Sequence, residues 1–264
     1  MAKVSVMPEE RARPVPLPRG YTGDGETLAY MAGDNDPLHL HRHRLRRDEA
    51  LRVGPLDVDC VAFVWKGGVS AGGWPLAAGS SMVVEHGETL EISGVDDMSE
   101  VLTFTAANPG RQARSGGHVH ILPGEQAPFY DEVLNDRPFG ARMHADSMCP
   151  TCEVWLHENY MGGNPAPPTL EDKKRDIHSH SEDEIIFVME GQMRLGAKLF
   201  GPGTALAVAA DTFYNFTVGP AGLRFVNFRA AKPQDIRFPN GQTMNETAYF
   251  CERLNKPLAY LAPR

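Results

Sequence analysis

Short runs of β-branched and aromatic residues, separated by glycine, proline and aspartate, dominate the hydrophobic pattern of the chain. The runs are CVAFVW, SMVV, TLEIS and VLTFTA in the first half and EIIFVM, MRL, ALAVA, FYNFTV and LRFVNF in the second. Strands spaced this closely, with glycine turns between them, are typical of antiparallel sandwiches and barrels. MEGQ and KGGV predict tight hairpin turns. Helical periodicity is weak, and the best candidate helix is the segment around Asn245 to Leu254.

The same pattern occurs twice, at an offset of 124 residues. The residues that coincide without a gap are Asp59/Asp183, Phe63/Phe187, Val64/Val188, Gly67/Gly191, Gly79/Gly203, Val84/Val208 and Phe104/Phe228. This coincidence predicts duplicated domains, which we place at residues 1–125 and 126–264. The proline-rich opening predicts an extended arm. The stretch from about Asn108 to Ser147, rich in Gly, Pro and Asp, is interpreted as the connection between the copies.

Three polar residues in the second copy stand out, within the stretch HSHSEDEIIFVMEG that begins at His178. Residues two apart on a strand point to the same face, so His178 and His180 should converge, and Glu184 keeps the same parity. The matched residues of the first copy are Gly54, Leu56 and Cys60. The barrel pattern therefore persists without the polar trio, which makes a purely structural role for it less favoured.

Two interpretations of the trio remain open from the residues alone. Two imidazoles and a carboxylate left unpaired inside a barrel would cost several kcal/mol, and a divalent cation would satisfy all three. The alternative is an exposed loop, because SHSEDE is also hydrophilic. The apolar run that follows Glu184 favours a strand entering a core, and therefore the metal interpretation.

The stretch also resembles the first metal motif of the cupin superfamily: His-x-His, three residues, Glu, six residues, Gly. GPGTALAVAADTFYNF resembles the second motif in place and length, with Ala209 and Asp211 where a Pro and a Gly are usual and Tyr214 where a histidine is usual. A glycine common before the first histidine is missing. The resemblance implies an all-β protein of two tandem jelly-roll barrels with few short helices, the first barrel degenerate and the second metal-binding.

By that resemblance the metal ligands would be His178, His180 and Glu184. Tyr214 leaves two possibilities open. As a phenolate it would complete a four-ligand site, and as a neutral phenol it would hydrogen-bond a bound water or substrate. We expect the neutral form, which leaves a face of two histidines and one carboxylate. Arg194 could hold a substrate carboxylate with its guanidinium, although an arginine facing solvent is the more common arrangement.

Other chemistry-bearing segments are given weaker interpretations. HLHRHRLRR, from His39 to Arg47, has no glutamate at the required spacing, so it predicts a solvated basic edge strand. His118 and His120 precede a proline turn and are expected to be structural or to support the site from a distance. Cys149 and Cys152 form CPTC, but a structural zinc site of that kind usually needs a second such pair. The remaining alternatives for CPTC are a redox pair and, preferred here, packing in a linker. These segments are ranked below the trio.

Composition narrows the class of protein. A hydrophobic content of 42% with 23% charged residues is typical of globular chains. A net charge of −8 argues against nucleic acid or an anionic membrane as a partner. The chain has no 18-residue apolar run, and its first residues lack the apolar core of a signal peptide. We therefore expect a cytoplasmic protein whose four cysteines are thiols.

The sequence thus predicts a metal-dependent enzyme with about one divalent ion per chain, held in the second barrel only. The favoured ion is Fe²⁺, with Mn²⁺ or Zn²⁺ as alternatives, and the favoured reaction is dioxygenation of a small anionic enol, diketone or phenolic compound. The alternatives are a zinc- or manganese-dependent isomerase, lyase or decarboxylase, and a non-catalytic binding or storage protein, because the fold itself is neutral on chemistry. A small-molecule substrate and a homodimer or higher homo-oligomer are expected.

Overall fold

The computed structural model describes residues 3–108, 117–134, 136–147, 151–164, 166, 169, 174, 177–232 and 234–264. The chain forms two compact units. The first barrel comprises residues 12–127, 147–154 and 258–264, and the second barrel comprises residues 1–11, 128–146 and 155–257. Each unit therefore includes a segment from the opposite end of the chain.

Antiparallel strands make up most of the described structure, and the all-β prediction is confirmed. The strands are β1 (Val4–Met7), β2 (Arg13–Val15), β3 (Tyr21–Gly23), β4 (Glu26–Met31), β5 (Leu38–Leu45), β6 (Ala50–Val53), β7 (Cys60–Lys66), β8 (Gly68–Ala71), β9 (Trp74–Ala77), β10 (Ser81–Val84), β11 (Leu90–Gly94), β12 (Ser99–Ala106), β13 (Val119–Leu122), β14 (Phe129–Leu134), β15 (Arg137–Asp146), β16 (Trp155–Met161), β17 (Glu184–Leu195), β18 (Lys198–Phe200), β19 (Ala205–Val208), β20 (Thr217–Arg229), β21 (Asp235–Arg237) and β22 (Thr243–Asn245). Short 3₁₀ turns span Glu9–Arg11 and Gly124–Gln126.

The predicted C-terminal helix is confirmed as helix α1 (Glu246–Cys251). Asn245 caps it, because its side-chain oxygen accepts a hydrogen bond from the Ala248 N–H at 2.8 Å. No helix in the described part of the chain is both long and apolar enough to cross a membrane.

The first barrel is built from two sheets. One has the strand order β13-β10-β7-β12-β5-β4-β2 and the other β3-β6-β11-β8-β9. Its core contains side chains from both sheets, including Leu51, Val64, Ile92 and Val101. Gly67, with φ of +68°, lies between β7 and β8, which belong to different sheets. KGGV is therefore a corner between sheets rather than the predicted hairpin, because the left-handed conformation available to glycine redirects the strand.

The second barrel contains one large sheet with the order β1-β19-β17-β20-β16-β15-β14, with β18 paired to β17, and a separate β21-β22 pair. The interior of this barrel is lined by alternate residues of β17 and β20, such as Ile186, Val188, Leu223 and Phe225. The opening residues are not a free arm here, because β1 pairs with β19 along its whole length.

The duplication is visible in backbone hydrogen bonds that recur at the predicted offset. The first barrel has Val64 N–H to Ser80 O and Gly79 N–H to Val64 O, and the second has Val188 N–H to Thr204 O and Gly203 N–H to Val188 O. The Asp59/Asp183 match has the same meaning, because Asp59 Oδ1 accepts from His86 N–H and Asp183 Oδ1 accepts from Ala210 N–H, each at 2.9 Å. The offset therefore identifies structurally equivalent positions.

Three further predicted elements differ from the structure. The segment from Asn108 to Ser147 is not only a connection, because β13, β14 and β15 lie within it. MEGQ is not a turn, since β17 runs through it with register shifts on both sides of Gly191. FYNFTV is mostly irregular, and β20 begins only at Thr217. Local pattern could not show these differences, because bulges and long strands are decided by pairing partners.

The prediction of a solvated edge strand for HLHRHRLRR is wrong. Its core is β5, an internal strand between β12 and β4. His43 is buried, and its two ring nitrogens each lie 2.9 Å from a threonine hydroxyl, those of Thr27 and Thr103. Arg42 is also buried, 3.6 Å from Glu100. Burial of His43 and Arg42 is possible because each side chain has a polar partner on a neighbouring strand.

Candidate active site in the second barrel

A cavity of about 450 Å³ opens into the second barrel. Its lining is largely aromatic and aliphatic, with Phe216, Phe225, Ile236, Phe238 and Met244 among the apolar residues. A group of polar side chains also lines it: His157, His178, His180, Tyr214, Asn227, Arg229 and Glu246. A largely apolar cavity with a few convergent polar groups is the usual form of a small-molecule site.

The backbone fixes three of the residues predicted for the site. His178 and Tyr214 form a two-way backbone bridge, with N···O distances of 3.2 and 3.0 Å. Their ring centroids are 5.0 Å apart, and those of His178 and His180 are 4.9 Å apart. The His180 carbonyl accepts a hydrogen bond from Asp211 N–H at 2.7 Å. This bond holds the stretch that contains His178 and His180 against the loop after β19.

Glu184, the first residue of β17, completes the predicted set. Its Oε2 lies 3.8 Å from His180 Nε2 and accepts a hydrogen bond from Asn227 Nδ2 at 2.7 Å. Burial raises the pKa of Glu184, but the charges of His180 and Arg229 and hydrogen bonds from Tyr214 and Asn227 lower that pKa overall. Glu184 is therefore held as a buried carboxylate.

Arg229, the last residue of β20, also belongs to this group, although no pattern in the sequence pointed to it. Its Nη2 lies 3.3 Å from both His180 Nε2 and Glu184 Oε2, and its Nη1 lies 2.5 Å from Glu246 Oε2. Glu246 in turn lies 3.4 Å from His180 Nδ1. Burial raises the pKa of Glu246, yet Arg229 and His180 lower it to about 2. A buried guanidinium between two carboxylates and an imidazole is thus the centre of the observed network.

Tyr214 is 9% exposed and is held as a neutral phenol. Burial, followed by the negative charge of Glu184, raises the pKa of Tyr214 well above its usual value. In this arrangement the hydroxyl can donate a hydrogen bond.

His157, on β16, is paired with Asn227 on β20 and adds a second neutral group to the cavity wall. Its Nδ1 accepts a hydrogen bond from the Trp155 indole, with Nε1 and Nδ1 2.7 Å apart, and the ring proton is therefore on Nε2. Its ring stacks on Phe250 with centroids 4.3 Å apart. Burial, with the nearby Arg229 charge, lowers the pKa of His157 to about 3.

Charge and donor type bear on whether this polar group fits a divalent cation. Two buried carboxylates, those of Glu184 and Glu246, share one guanidinium, that of Arg229. Glu246 Oε1 and Asn227 Oδ1 are buried and have no hydrogen-bond partner among the described residues. The donor types, imidazole and carboxylate, suit Fe²⁺, Mn²⁺ and Zn²⁺. In charge and donor chemistry the residues fit such an ion.

One contact conflicts with that fit. A cation about 2 Å from both His180 Nε2 and Glu184 Oε2 would lie within about 3.6 Å of Arg229 Nη2, close enough for strong repulsion. Binding would require Nη2 to move away, while the contact between Nη1 and Glu246 can persist. Among the described residues, a triad whose potential ligand atoms all lie within 4.8 Å of one another occurs in the first barrel instead, at Glu85, His120 and Cys152.

Arg194 does not line the cavity. Its neighbours Met193 and Leu195 pack against the core, so the Arg194 side chain lies on the other face of β17. Arg137, at the start of β15, lines the cavity and forms no ion pair within the described part of the chain. The sequence offered no signal for Arg137, because its position depends on how β15 crosses the sheet.

No protein-family model and no curated protein matches this chain. Several solved structures share its fold. A protein from Pseudomonas aeruginosa described as glyoxylate-induced superposes with a TM-score of 0.65 and 11% identity, over 88% of this chain and 90% of that one. A candidate dioxygenase from Nostoc punctiforme gives 0.64 and 10%, over 88% and 84%.

A variant of the oxalate decarboxylase from Bacillus subtilis superposes with a TM-score of 0.60 and 11% identity, over 92% of this chain and 80% of that one. These structures are all cupins. The fold of this chain is therefore the two-barrel cupin fold, as the motif resemblance implied.

Proposed function

We propose that the second barrel is the active site of a metal-dependent enzyme that acts on a small anionic organic molecule. The observation that carries the proposal is the buried pair His180 Nε2 and Glu184 Oε2, which lie 3.8 Å apart. His180 lines a cavity of about 450 Å³, and Glu184 lies behind it. His178 and Tyr214 border the same wall, and the charge of the group favours an added cation. The candidate dioxygenase and the oxalate decarboxylases with this fold support metal-dependent chemistry as a class.

His178, His180 and Glu184 would hold the ion. Our specific proposal is Fe²⁺, which would supply open coordination positions for a chelating substrate and for dioxygen. Asn227 supports this set, since its hydrogen bond at 2.7 Å orients Glu184 Oε2. Such orienting contacts to ligand carboxylates normally affect metal affinity strongly.

Arg229 would stay paired with Glu246 when the ion binds. The Nη1 contact keeps the guanidinium neutralised at the back of the site, while Nη2 gives up His180 and Glu184. This division explains why the site has two buried carboxylates around one arginine. Glu184 serves the cation, and Glu246 serves the arginine.

Substrate binding would involve the groups that the ion does not use. Arg137, with no ion pair in the described structure, offers a cation at the cavity wall for an anionic group. The Tyr214 hydroxyl offers a hydrogen-bond donor beside the ligand set. Phe216, Phe225 and Ile186 exclude water from this end of the barrel, which strengthens every polar contact there.

Metal analysis tests the first part of this proposal. Freshly purified wild-type protein should contain a divalent ion that the His178→Ala, His180→Ala double variant loses from the second barrel. The matched control is a double variant of His39 and His41, which also alternate on one strand but lie in the first barrel. Unchanged metal content in the His178, His180 variant would exclude this ligand set.

Oxygen consumption tests the specific reaction. Iron(II), manganese and zinc forms would be incubated with small enols, diketones and phenolic acids, with and without air. Dioxygen uptake limited to the iron form supports a dioxygenase. Equal conversion without oxygen, or with zinc, would instead support an isomerase, lyase or decarboxylase.

A second candidate function is favoured by the position of Arg229. If Nη2 remains between His180 and Glu184, the guanidinium takes the place of the ion and the cavity becomes a metal-free binding site. Wild-type protein that lacks metal in the second barrel, and that binds a small anion without converting it, would establish this alternative.

A further inference from the structure

A second polar cluster lies in the first barrel, where the sequence predicted no metal. It joins Glu85, the residue after β10, with His120 in β13 and Cys152 in the segment 147–154. One potential ligand atom from each lies within 4.8 Å of the other two. Strands β10 and β13 pair directly, which brings His120 beside Glu85.

Glu85 is the centre of this cluster. Its side chain is fully buried, and Oε1 lies 2.7 Å from both His120 Nε2 and Thr151 Oγ1. Its Oε2 accepts a hydrogen bond from His118 N–H at 3.0 Å. Cys152 is 1% exposed, and the His120 side chain is 15% exposed. The carboxylate is thus oriented by its neighbours while an imidazole and a thiol lie next to it.

We propose that Glu85, His120 and Cys152 bind a zinc ion. Carboxylate oxygen, imidazole nitrogen and thiolate sulfur are all zinc ligands, and a thiolate favours zinc over magnesium or calcium. The carboxylate and the thiolate together neutralise Zn²⁺, so the buried site carries no net charge once the ion is bound. Binding releases the thiol proton of Cys152 and any proton shared between Glu85 and His120.

The geometry requires only a small adjustment. Ligand atoms around tetrahedral zinc lie roughly 3.3–3.8 Å apart, given bond lengths of about 2.0–2.3 Å. Glu85 Oε1 and His120 Nε2 are 2.7 Å apart and would have to separate slightly, and the potential ligand atoms of all three residues already lie within 4.8 Å of one another. His120 lies partly at the surface, so an ion can enter from its side.

The zinc would link three parts of the chain that are distant in sequence. Segment 147–154 is flanked on both sides by strands of the second barrel, β15 and β16, yet it belongs to the first barrel. Two contacts already hold it there: Thr151 Oγ1 to Glu85 and Glu153 N–H to Asp59 Oδ2 at 3.0 Å. A zinc–thiolate bond at Cys152 would fix the same segment more strongly.

The competing explanation is a hydrogen-bonded network without an ion. The two explanations differ in whether the Cys152 sulfur binds a metal. Full-length protein would be loaded with Co²⁺ in place of zinc, because a thiolate ligand gives cobalt a charge-transfer absorption in the near ultraviolet. The His178, His180 and Glu184 set contains no sulfur, so this absorption reports the first-barrel site even if the proposed second-barrel metal is wrong. The matched control is Cys251→Ser, which removes a thiol from helix α1.

The wild type, Cys251→Ser and the His178→Ala, His180→Ala variant should all show the thiolate absorption, and Cys152→Ser should lose it. Zinc content should fall by about one equivalent per chain in Cys152→Ser. His120→Ala, at a partly exposed position, should weaken zinc binding at least tenfold with unchanged circular dichroism. Absence of the absorption in the wild type, or its persistence in Cys152→Ser, would overturn the proposal.

Discussion

Arg229 Nη2 and Glu184 Oε2 lie 3.3 Å apart in the second barrel, and both side chains are almost fully buried. At the equivalent positions the first barrel has Thr105 and Cys60, so both charges are specific to the second copy. A buried ion pair with no counterpart in the sister barrel is not required by the fold. It is a feature of the site, and it places Arg229 in direct competition with any cation bound by Glu184.

Replacing Arg229 by Gln should destabilise the metal-free protein by about 3–5 kcal/mol, because two buried carboxylates lose their common partner. The same variant should bind a divalent ion more tightly than the wild type, since the repulsion by Nη2 is removed. Denaturant unfolding and metal titration measure the two effects. Arg224→Gln is the control on the same strand, with a smaller expected loss because Arg224 is about one-third exposed. Weaker metal binding by Arg229→Gln would show that Arg229 supports the ion rather than competing with it.

Tyr214→Phe should keep its metal and change substrate affinity or turnover, because burial and Glu184 keep the phenol protonated as a hydrogen-bond donor. Tyr249→Phe, which changes another tyrosine of the cavity lining, is the control. Metal content and steady-state kinetics measure the outcome. A loss of metal, or a phenolate charge-transfer band in the iron(III) protein that Tyr214→Phe removes, would instead make Tyr214 a ligand.

His43 should make stability depend on pH. Burial lowers the pKa of His43 to about 3, whereas the unfolded chain titrates near 6.5. The stability conferred by the neutral ring is therefore complete above about pH 6.5. It is lost as the pH falls toward 3, at up to about 1.4 kcal/mol per pH unit.

His43→Gln keeps hydrogen-bonding groups for Thr27 and Thr103 but cannot take up a proton. Its free energy of unfolding should fall less steeply than that of the wild type between about pH 6 and 4, by up to 1.4 kcal/mol per unit. Above pH 7 the difference between the two proteins should be constant. Parallel curves at acidic pH would contradict the assignment.

Gly191→Ala should destabilise the protein by more than about 2 kcal/mol. A residue other than glycine costs roughly 1–2 kcal/mol in the left-handed conformation, and the added methyl group also clashes with the backbone. Its φ is +72°, and a Cβ there would lie 2.2 Å from the Gly222 carbonyl oxygen. Gly196→Ala is the control, with a φ of +59° and no atom within 4 Å. Thermal unfolding of both variants compares strain plus clash with strain alone. Equal losses would mean that Gly191 is retained only for its backbone angle.

The sequence determined most of the strands and the duplication, because each depends on residues at short or regular spacing. Alternation over a few residues also predicted that His178, His180 and Glu184 share one face. The offset of 124 residues predicted equivalences, such as Asp59 with Asp183, that the hydrogen bonds reproduce. Helix α1 was also predictable, since its start lies at a capping residue.

Tertiary structure alone decided the contacts between residues distant in the chain. Neither Arg229 nor Glu246 carries a local signature that points to Glu184, and only strand pairing and the position of helix α1 bring the three together. The sequence of β5 predicted a solvated strand because the hydrogen-bond partners of His43, Thr27 and Thr103, lie on neighbouring strands. The CPTC motif has no second cysteine pair in the sequence, and the fold places Cys152 beside a glutamate and a histidine instead. Periodicity specifies which face a side chain occupies, whereas pairing specifies what it meets there.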